Sequence, residues 1–184
     1  MNKEKTILGI DPGTNILGFG VIHVNAKGPR FVSMGVIDLR KETDPFDKLR
    51  RIHSEVGALC DKYNPDDLSI ESPFMGKNAQ VTLKLGRAQG AAIVAAAIRN
   101  IPVYEYAPRK AKTAICGNGA ASKEQVSLMV QKTLQVELDP RHLDATDALA
   151  IALCHYYQQE SPLTRVGSRS SWEKFIRANP DRVK

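Results

Sequence analysis

Apolar and polar positions alternate in short runs over the first forty residues. Apolar runs cover residues 5–10, 17–24 and 30–38, and the turn signal Ala26-Lys27-Gly28-Pro29 separates the last two. Sequential strands joined by so few residues pair with one another in antiparallel order. The pattern therefore predicts that the chain begins with a three-stranded antiparallel meander.

Helical and extended segments alternate after this meander. Asp44-Pro45 places an N-cap residue before a proline at the first helical position, and apolar residues at helical spacing continue to about Asn64. The pattern next predicts a strand, a helix and a strand, over residues 68–71, 79–99 and 101–106.

Three further helices complete the predicted order. One opens at Pro108, one is capped by a box of Ser122 and Gln125, and the last runs from Asp139-Pro140 to about Tyr157. A meander that leads into helix–strand crossovers builds a mixed sheet with helices on both faces. The predicted class is therefore α/β, with a mixed five-stranded sheet flanked by helices.

The helix over residues 79–99 has an unusual apolar second half, AAIVAAAI. A helix that is apolar on all sides needs cover on two of them. The sheet supplies one cover, and a second copy of the chain is the candidate for the other.

Composition bounds the domain organisation. The chain has 184 residues, 42% of them hydrophobic, which suits one domain at residues 1–160 with a polar and basic tail at 161–184. We see no signal peptide, and the longest apolar run is far below the ~20 residues that span a membrane, so a cytoplasmic location is expected. The three cysteines are widely spaced, which favours reduced thiols over a disulfide frame or a zinc site.

The positive charge is concentrated in the middle of the chain. Residues 74–132 hold nine Lys and Arg against two Asp and Glu, whereas the segments on either side are close to neutral. The nine are Lys77, Lys84, Arg87, Arg99, Arg109, Lys110, Lys112, Lys123 and Lys132. Such a block suits a nucleic-acid backbone, although solvated helix faces would look similar.

Four carboxylates are predicted to meet at one edge of the sheet. Asp11 ends the first strand and Glu71 ends the fourth, so both emerge together if those strands are parallel neighbours. Asp144 and Asp147 are three residues apart and share one face of the last helix. Each has a simpler reading: Asp11-Pro12-Gly13 as a turn, Glu71 as a solvated strand end, and the helix acids as partners of the helix dipole.

Carboxylates that converge repel one another unless cations lie among them. Mg²⁺ or Mn²⁺ would suit such oxygen ligands, and two ions ~4 Å apart assist hydrolysis of a phosphodiester. Together with the basic block, this predicts a nuclease.

Four ordered motifs then identify a family. LGIDPGTNILGFGVI, IESPFMGKNAQVTLKLGRAQGAAIVAA, VYEYAPRKAKTAICGNGAASKEQV and LDATDALAIALCH resemble those of the RuvC-type crossover junction endodeoxyribonucleases, over roughly residues 5–157. The resemblance implies a ribonuclease-H-like fold, a homodimer, Mg²⁺, and two symmetric nicks in a four-way DNA junction. It also implies work with the branch-migration proteins RuvA and RuvB.

The resemblance assigns roles to individual residues. It places catalytic and metal-binding carboxylates at Asp11, Glu71, Asp144 and Asp147. It places a base-stacking aromatic at Phe74, for which a loop anchor is the simpler reading, and backbone-contacting cations at Lys112 and Lys123. From the basic block we add Lys77, Lys84 and Arg87 as candidate DNA contacts. Ser72-Pro73 departs from the pattern of many relatives, and the tail after about Ser161 is not covered.

Other functions fit parts of this pattern. A ribonuclease H or a general DNA nuclease would use the same carboxylates, and a junction-binding module without activity would use the same cations. An actin-type ATPase also carries a loop like GIDPGT, but that fold needs two such domains and is disfavoured by length. His155 on the last helix is open to two readings, as a proton handler or as a satisfied structural histidine.

Overall fold

The computed structural model describes residues 4–73, 78–139 and 143–160, which form a five-stranded sheet with helices on both faces. The strands are β1 (Lys5–Asp11), β2 (Ile16–Asn25), β3 (Gly28–Asp38), β4 (Asp67–Glu71) and β5 (Val103–Tyr106). The helices are α1 (Pro45–Tyr63), α2 (Ala79–Ala97), α3 (Pro108–Cys116), α4 (Lys123–Leu134) and α5 (Leu143–Glu160).

The sheet has the order β3-β2-β1-β4-β5. The first three strands pair antiparallel, whereas β4 runs parallel to β1 and β5 runs parallel to β4. Both the meander and the mixed five-stranded sheet are therefore confirmed. Because Ile10 lies opposite Ile70 in the parallel pair, β1 and β4 end side by side, one residue further on.

Each face of the sheet has its own hydrophobic core. Leu8 and Ile10 of β1 pack with α1 and α2 on one face, around residues such as Ile52 and Ala92. Ile7 points to the opposite face, where α3, α4 and α5 form the second core. The strand alternation expected from a period of two therefore places α5 against one face of β1.

The predicted ends of several elements shift by a few residues. Helix α2 ends at Ala97 and β5 starts at Val103, because Asn100 adopts a left-handed φ of 57° and Ile101 N–H bonds the Ala96 carbonyl. Helix α5 continues to Glu160, one turn beyond the prediction, while its predicted start at Pro140 lies outside the described residues.

The predicted caps are confirmed where they are described. The Asp44 carboxylate accepts from two backbone N–H groups at the start of α1, and Ser122 and Gln125 form the reciprocal capping box of α4. Among the helices of the described ranges, none combines the length and the apolar character needed to cross a bilayer.

Candidate active site

Three carboxylates meet where β1 ends against the start of α5. Asp11 is the last residue of β1, and Asp144 and Asp147 lie one turn apart on α5. One oxygen from each of the three carboxylates lies within 4.8 Å of the other two, and all three residues are partly buried. This spacing lets one cation contact all three side chains.

Glu71 joins this group electrostatically from the neighbouring strand β4. Burial raises the pKa of Asp11 to about 8, and the charges of Glu71, Asp147 and Asp144 add to the rise. Burial also raises the pKa of Glu71 to about 7, with a further contribution from Asp147. The four side chains therefore disfavour full ionisation unless positive charge lies among them.

Glycines let α5 lie directly on the sheet and bring its acids to Asp11. Gly18 of β2 pairs with Asp11, and a Cβ atom added to Gly18 would lie 2.0 Å from the Asp144 carbonyl oxygen. A Cβ at Gly9 of β1 would lie 2.1 Å from the Ala148 carbonyl oxygen. Any side chain at these positions would push α5 away from the strand ends.

We expect Gly18→Ala to destabilise the fold by about 1–3 kcal/mol, or to displace α5, because the clash involves backbone that cannot rotate away. Urea denaturation and junction cleavage by the folded fraction measure the two effects. Gly35→Ala is the matched control, since the three atoms nearest to its Cβ would belong to the Phe19 ring and not to backbone. Equal stability and cleavage in the two variants would refute the close-approach role of Gly18.

Two lysines predicted as DNA contacts lie beside the carboxylates. Lys123 Nζ is 2.8 Å from Asp147 Oδ2, and this hydrogen bond raises the pKa of the lysine. Lys112 Nζ donates to the Ala121 carbonyl at 2.8 Å, which joins α3 to the capped start of α4. The charges of both lysines offset part of the rise in the pKa of Glu71, so both act on the acidic group.

The other predicted DNA contacts have different positions. Lys84 and Arg87 lie on the exposed side of α2, on the face of the sheet opposite α5. Phe74 and Lys77 fall outside the described residues. The structure thus places cations on both sides of the carboxylates.

Sequence reasoning missed a buried polar network at the far end of α5. Asp67 follows Pro65 and Asp66, which is a turn-like sequence, but it is 3% exposed, forms an ion pair with Lys5 and contacts His155. His155 Nε2 is 2.7 Å from Asp67 Oδ2, and its Nδ1 is hydrogen-bonded to the Tyr106 hydroxyl at 2.7 Å. The reading of His155 as a satisfied structural histidine is confirmed. A histidine within the apolar run of α5 was the available signal.

The donor set of the acidic group fits a metal ion. It offers only carboxylate oxygens, which are the ligands of hard divalent cations, and its mutual repulsion would be relieved by such an ion. An ion held there could activate water and stabilise charge on a phosphate. The adjacent cations suit a polyanionic substrate.

Comparison with known proteins gives a consistent family. Residues 7–155 match the family described as crossover junction endodeoxyribonuclease RuvC. A protein of that description from Bacteroides fragilis is 53% identical over 184 residues, covering 99% of this chain and 97% of the relative. One from Porphyromonas gingivalis is 47% identical, covering 99% of this chain and 98% of the relative.

Solved structures agree with this match. The structure of Thermus thermophilus RuvC in complex with Holliday junction substrate has a TM-score of 0.78 and 35% identity, and covers 84% of this chain and 94% of that chain. The ribonuclease-H-like fold expected from the resemblance is thereby confirmed. The chain belongs to the RuvC family of crossover junction endodeoxyribonucleases.

Proposed function

We propose that this chain resolves four-way (Holliday) DNA junctions by paired, symmetric nicks, in DNA recombination and repair. The convergence of Asp11, Asp144 and Asp147 within 4.8 Å, beside Glu71, carries the proposal. The T. thermophilus relative bound to a Holliday junction supports the substrate class. A general nuclease could use the same carboxylates, but the family to which this chain belongs is that of the crossover junction endodeoxyribonucleases.

We propose Mg²⁺, with Mn²⁺ as a substitute, as the metal, and two ions as the working number. Asp11, Glu71, Asp144 and Asp147 would hold them. Bound metal would supply an activated water and charge stabilisation for hydrolysis of a phosphodiester. The chain's own contribution is to hold the carboxylates in place. The ends of β1 and β4 position two of them, and the close packing of α5 on Gly9 and Gly18 positions the other two.

Cations of α3 and α4 would orient the cleaved strand. Lys123 pairs with Asp147 but keeps a half-exposed side chain, so it can also reach a phosphate that arrives at the carboxylates. Lys112 lies near enough to Glu71 for its charge to oppose the rise in the pKa of that carboxyl, and it would neutralise the next part of the same backbone. We propose Phe74 as a residue that stacks on an unpaired base, and Lys77 as a further backbone contact.

Paired nicks need two active sites, and we propose that α2 forms a homodimer contact. Leu83, Val94 and Ile98 are 58%, 50% and 62% exposed, and their spacing of eleven and four residues places them on one side of the helix. Exposed apolar side chains in a row are typical of a protein interface.

We expect Val94→Glu to convert the dimer into a monomer, because it would bury a charge without a partner in an apolar contact. Sedimentation velocity at micromolar protein concentration measures the mass. Val32→Glu on β3 is the control, since Val32 is similarly exposed, at 44%, on another element. A dimeric Val94→Glu protein, or a monomeric wild type, would contradict the proposed contact.

The remaining parts of the proposal concern organisation and partners. Residues 1–160 would form the nuclease domain and 161–184 a polar and basic tail. The chain would follow the branch-migration proteins RuvA and RuvB on the junction, in the cytoplasm where bacterial DNA lies.

Substrate choice tests the proposed function. With Mg²⁺, the purified protein should nick a mobile four-way junction symmetrically, and should cut linear duplex and RNA–DNA hybrid far more slowly. Equal cleavage of linear duplex would overturn junction resolution in favour of a general nuclease. Preferred cleavage of the hybrid would indicate a ribonuclease H, and junction binding without nicking in Mg²⁺ or Mn²⁺ would indicate a binding module.

A further inference from the structure

A basic cleft opens beside the carboxylates, on the side of the sheet covered by α1 and α2. It has a volume of about 380 Å³ and lies between the start of α1, the β1–β2 loop and the first half of α2. Lys48, Lys84 and Arg87 line it, and no Asp or Glu is among its described lining residues. The cleft therefore attracts anions.

The three basic residues of this cleft differ in whether they are hydrogen-bonded within the protein. Lys48 Nζ donates to the Thr14 carbonyl and to Asn15 Oδ1, both at 2.9 Å, and so holds the loop that follows Asp11. Lys84 and Arg87 are exposed and make no ion pair or hydrogen bond with any residue of the described ranges. Their charges are thus available to a ligand.

The cleft adjoins the carboxylates through two connections. Thr14 and Asn15 in its wall come three and four residues after Asp11. Next to Arg87 and Ala88 on α2, Gln89 Nε2 donates to the Glu71 carbonyl oxygen at 3.3 Å. Lys112 and Lys123 lie on the opposite side, with α5. The carboxylates therefore separate two groups of cations.

We propose that this cleft binds backbone phosphates of the junction strand that is not cut at the same active site. The inference rests on the proposed function, in which the cut strand lies on the carboxylates and runs toward Lys112 and Lys123. A second strand leaves the same junction, and Lys84 and Arg87 are the cations that face the space on the other side. Their helix also carries the exposed apolar side chains proposed for the dimer contact.

The wall of the cleft suits a nucleic-acid backbone in its chemistry. Backbone recognition needs cations and hydrogen-bond groups for phosphate, together with apolar surface for the sugar. Thr14 and Thr43 supply hydroxyl groups, and Phe46 is 67% exposed at the start of α1, where its ring can cover a deoxyribose. These groups do not read base edges, so the contact would be independent of sequence.

Salt dependence of junction binding is the first test. Binding of a four-way junction is measured without divalent metal between 50 and 200 mM salt, for wild type and for the double variant Lys84→Gln/Arg87→Gln. Each lost phosphate contact lowers the slope of log K against log salt by ~0.9, so we expect a decrease of about 2. Lys27→Gln/Lys62→Gln is the control, because it removes the same charge from the far end of the sheet and should leave the slope unchanged.

Uncharged linkages in the DNA backbone show which strand of the junction the cleft binds. Methylphosphonates placed next to the exchange point in the uncut strand should weaken wild-type binding and have no effect on the double variant. If only linkages in the cut strand show this dependence, or if the double variant keeps the wild-type slope, the cleft assignment is overturned. A double variant that is monomeric by sedimentation would also overturn it, since the cations would then act at the subunit contact.

The proposed function has a separate failure in the same experiments. A wild-type protein that neither binds nor nicks the junction refutes junction resolution itself. If the wild type nicks the junction but Lys84→Gln/Arg87→Gln has the same salt dependence of junction binding as the wild type, only the cleft assignment is refuted.

Discussion

Asp11→Asn is expected to lower the rate of junction cleavage by at least ~10³-fold while junction binding is retained. If metal-assisted charge stabilisation contributes at least ~4 kcal/mol to the transition state, its loss gives this factor. The asparagine keeps the size of the side chain, so β1 and α5 should stay in place. Loss of one negative charge beside a polyanion should not weaken binding.

The same variant has a second readout that does not depend on activity. Burial and three neighbouring carboxylates raise the pKa of Asp11 to about 8 from an ordinary value of 3.8. Between these two values the folded protein keeps a proton that the unfolded chain has released, so metal-free wild type loses stability as pH rises from about 4 to 8. Asparagine removes this loss.

We therefore expect metal-free Asp11→Asn to melt a few degrees above wild type at pH 8, with the difference shrinking toward pH 4; ~1 kcal/mol corresponds to about 2–4 °C at this size. Thermal melts in a chelator across this range measure it. Asp61→Asn on α1 is the control, because it removes an exposed carboxylate paired with Arg99 and should leave cleavage unchanged. Cleavage by Asp11→Asn within about tenfold of wild type, or an unchanged melting profile, would contradict the role of Asp11.

The strand ends explain why much of the acidic group was predictable from sequence. Asp11 and Glu71 each follow a short apolar run, and parallel neighbouring strands bring such ends together. Asp144 and Asp147 follow from their spacing on one helix face. Local patterns of this kind need no knowledge of the tertiary packing beyond the pairing of β1 with β4.

The close packing of α5 on the sheet could not be predicted in the same way. Gly9 and Gly18 look like ordinary strand glycines, which weaken a strand. Their function depends on which helix crosses them, and the Asp144 and Ala148 carbonyls that meet them are about 130 residues away in the chain. The pattern of one segment does not hold that information.

The network around Asp67 also depends on contacts between residues that are far apart in the sequence, so it could not be predicted either. Asp67 follows Pro65 and Asp66, a pattern typical of turns, and its partner His155 is 88 residues later. The strand β4 begins at Asp67 itself, so burial between β1 and α5 makes this carboxylate a core residue. Asp66, which stays exposed and accepts from Thr6 N–H, fits the turn reading.

Asp67→Asn is expected to destabilise the folded protein by about 3 kcal/mol at pH 7. The carboxylate is buried between Lys5 and His155, and loss of one partner leaves the remaining polar groups without compensation. Helix α5 connects this network to the acidic group, since His155 and Asp144 are separated by eleven residues, roughly 16 Å of helix. Urea denaturation at fixed protein concentration measures the change in the free energy of unfolding.

Acid should remove this difference between wild type and variant. Burial alone would raise the pKa of Asp67, but hydrogen bonds from His155 and Lys5, with their charges, outweigh it and hold the pKa below its ordinary value of 3.8. A lowered folded-state pKa means that the carboxylate stabilises the protein fully above about pH 4 and loses this effect as pH falls through the folded value. The gap between the two proteins should thus be constant from pH 7 to about 5 and close below 4.

Asp66→Asn is the matched control, because it changes the neighbouring carboxylate, which is exposed and makes one backbone hydrogen bond. We expect it to cost no more than ~1 kcal/mol. If Asp67→Asn is as stable as Asp66→Asn at pH 7, the buried contacts of Asp67 with Lys5 and His155 do not hold α5 on the sheet. A large loss of stability that persists unchanged to pH 3 would instead show that the shape of the site, and not the charge of Asp67, holds the helix there.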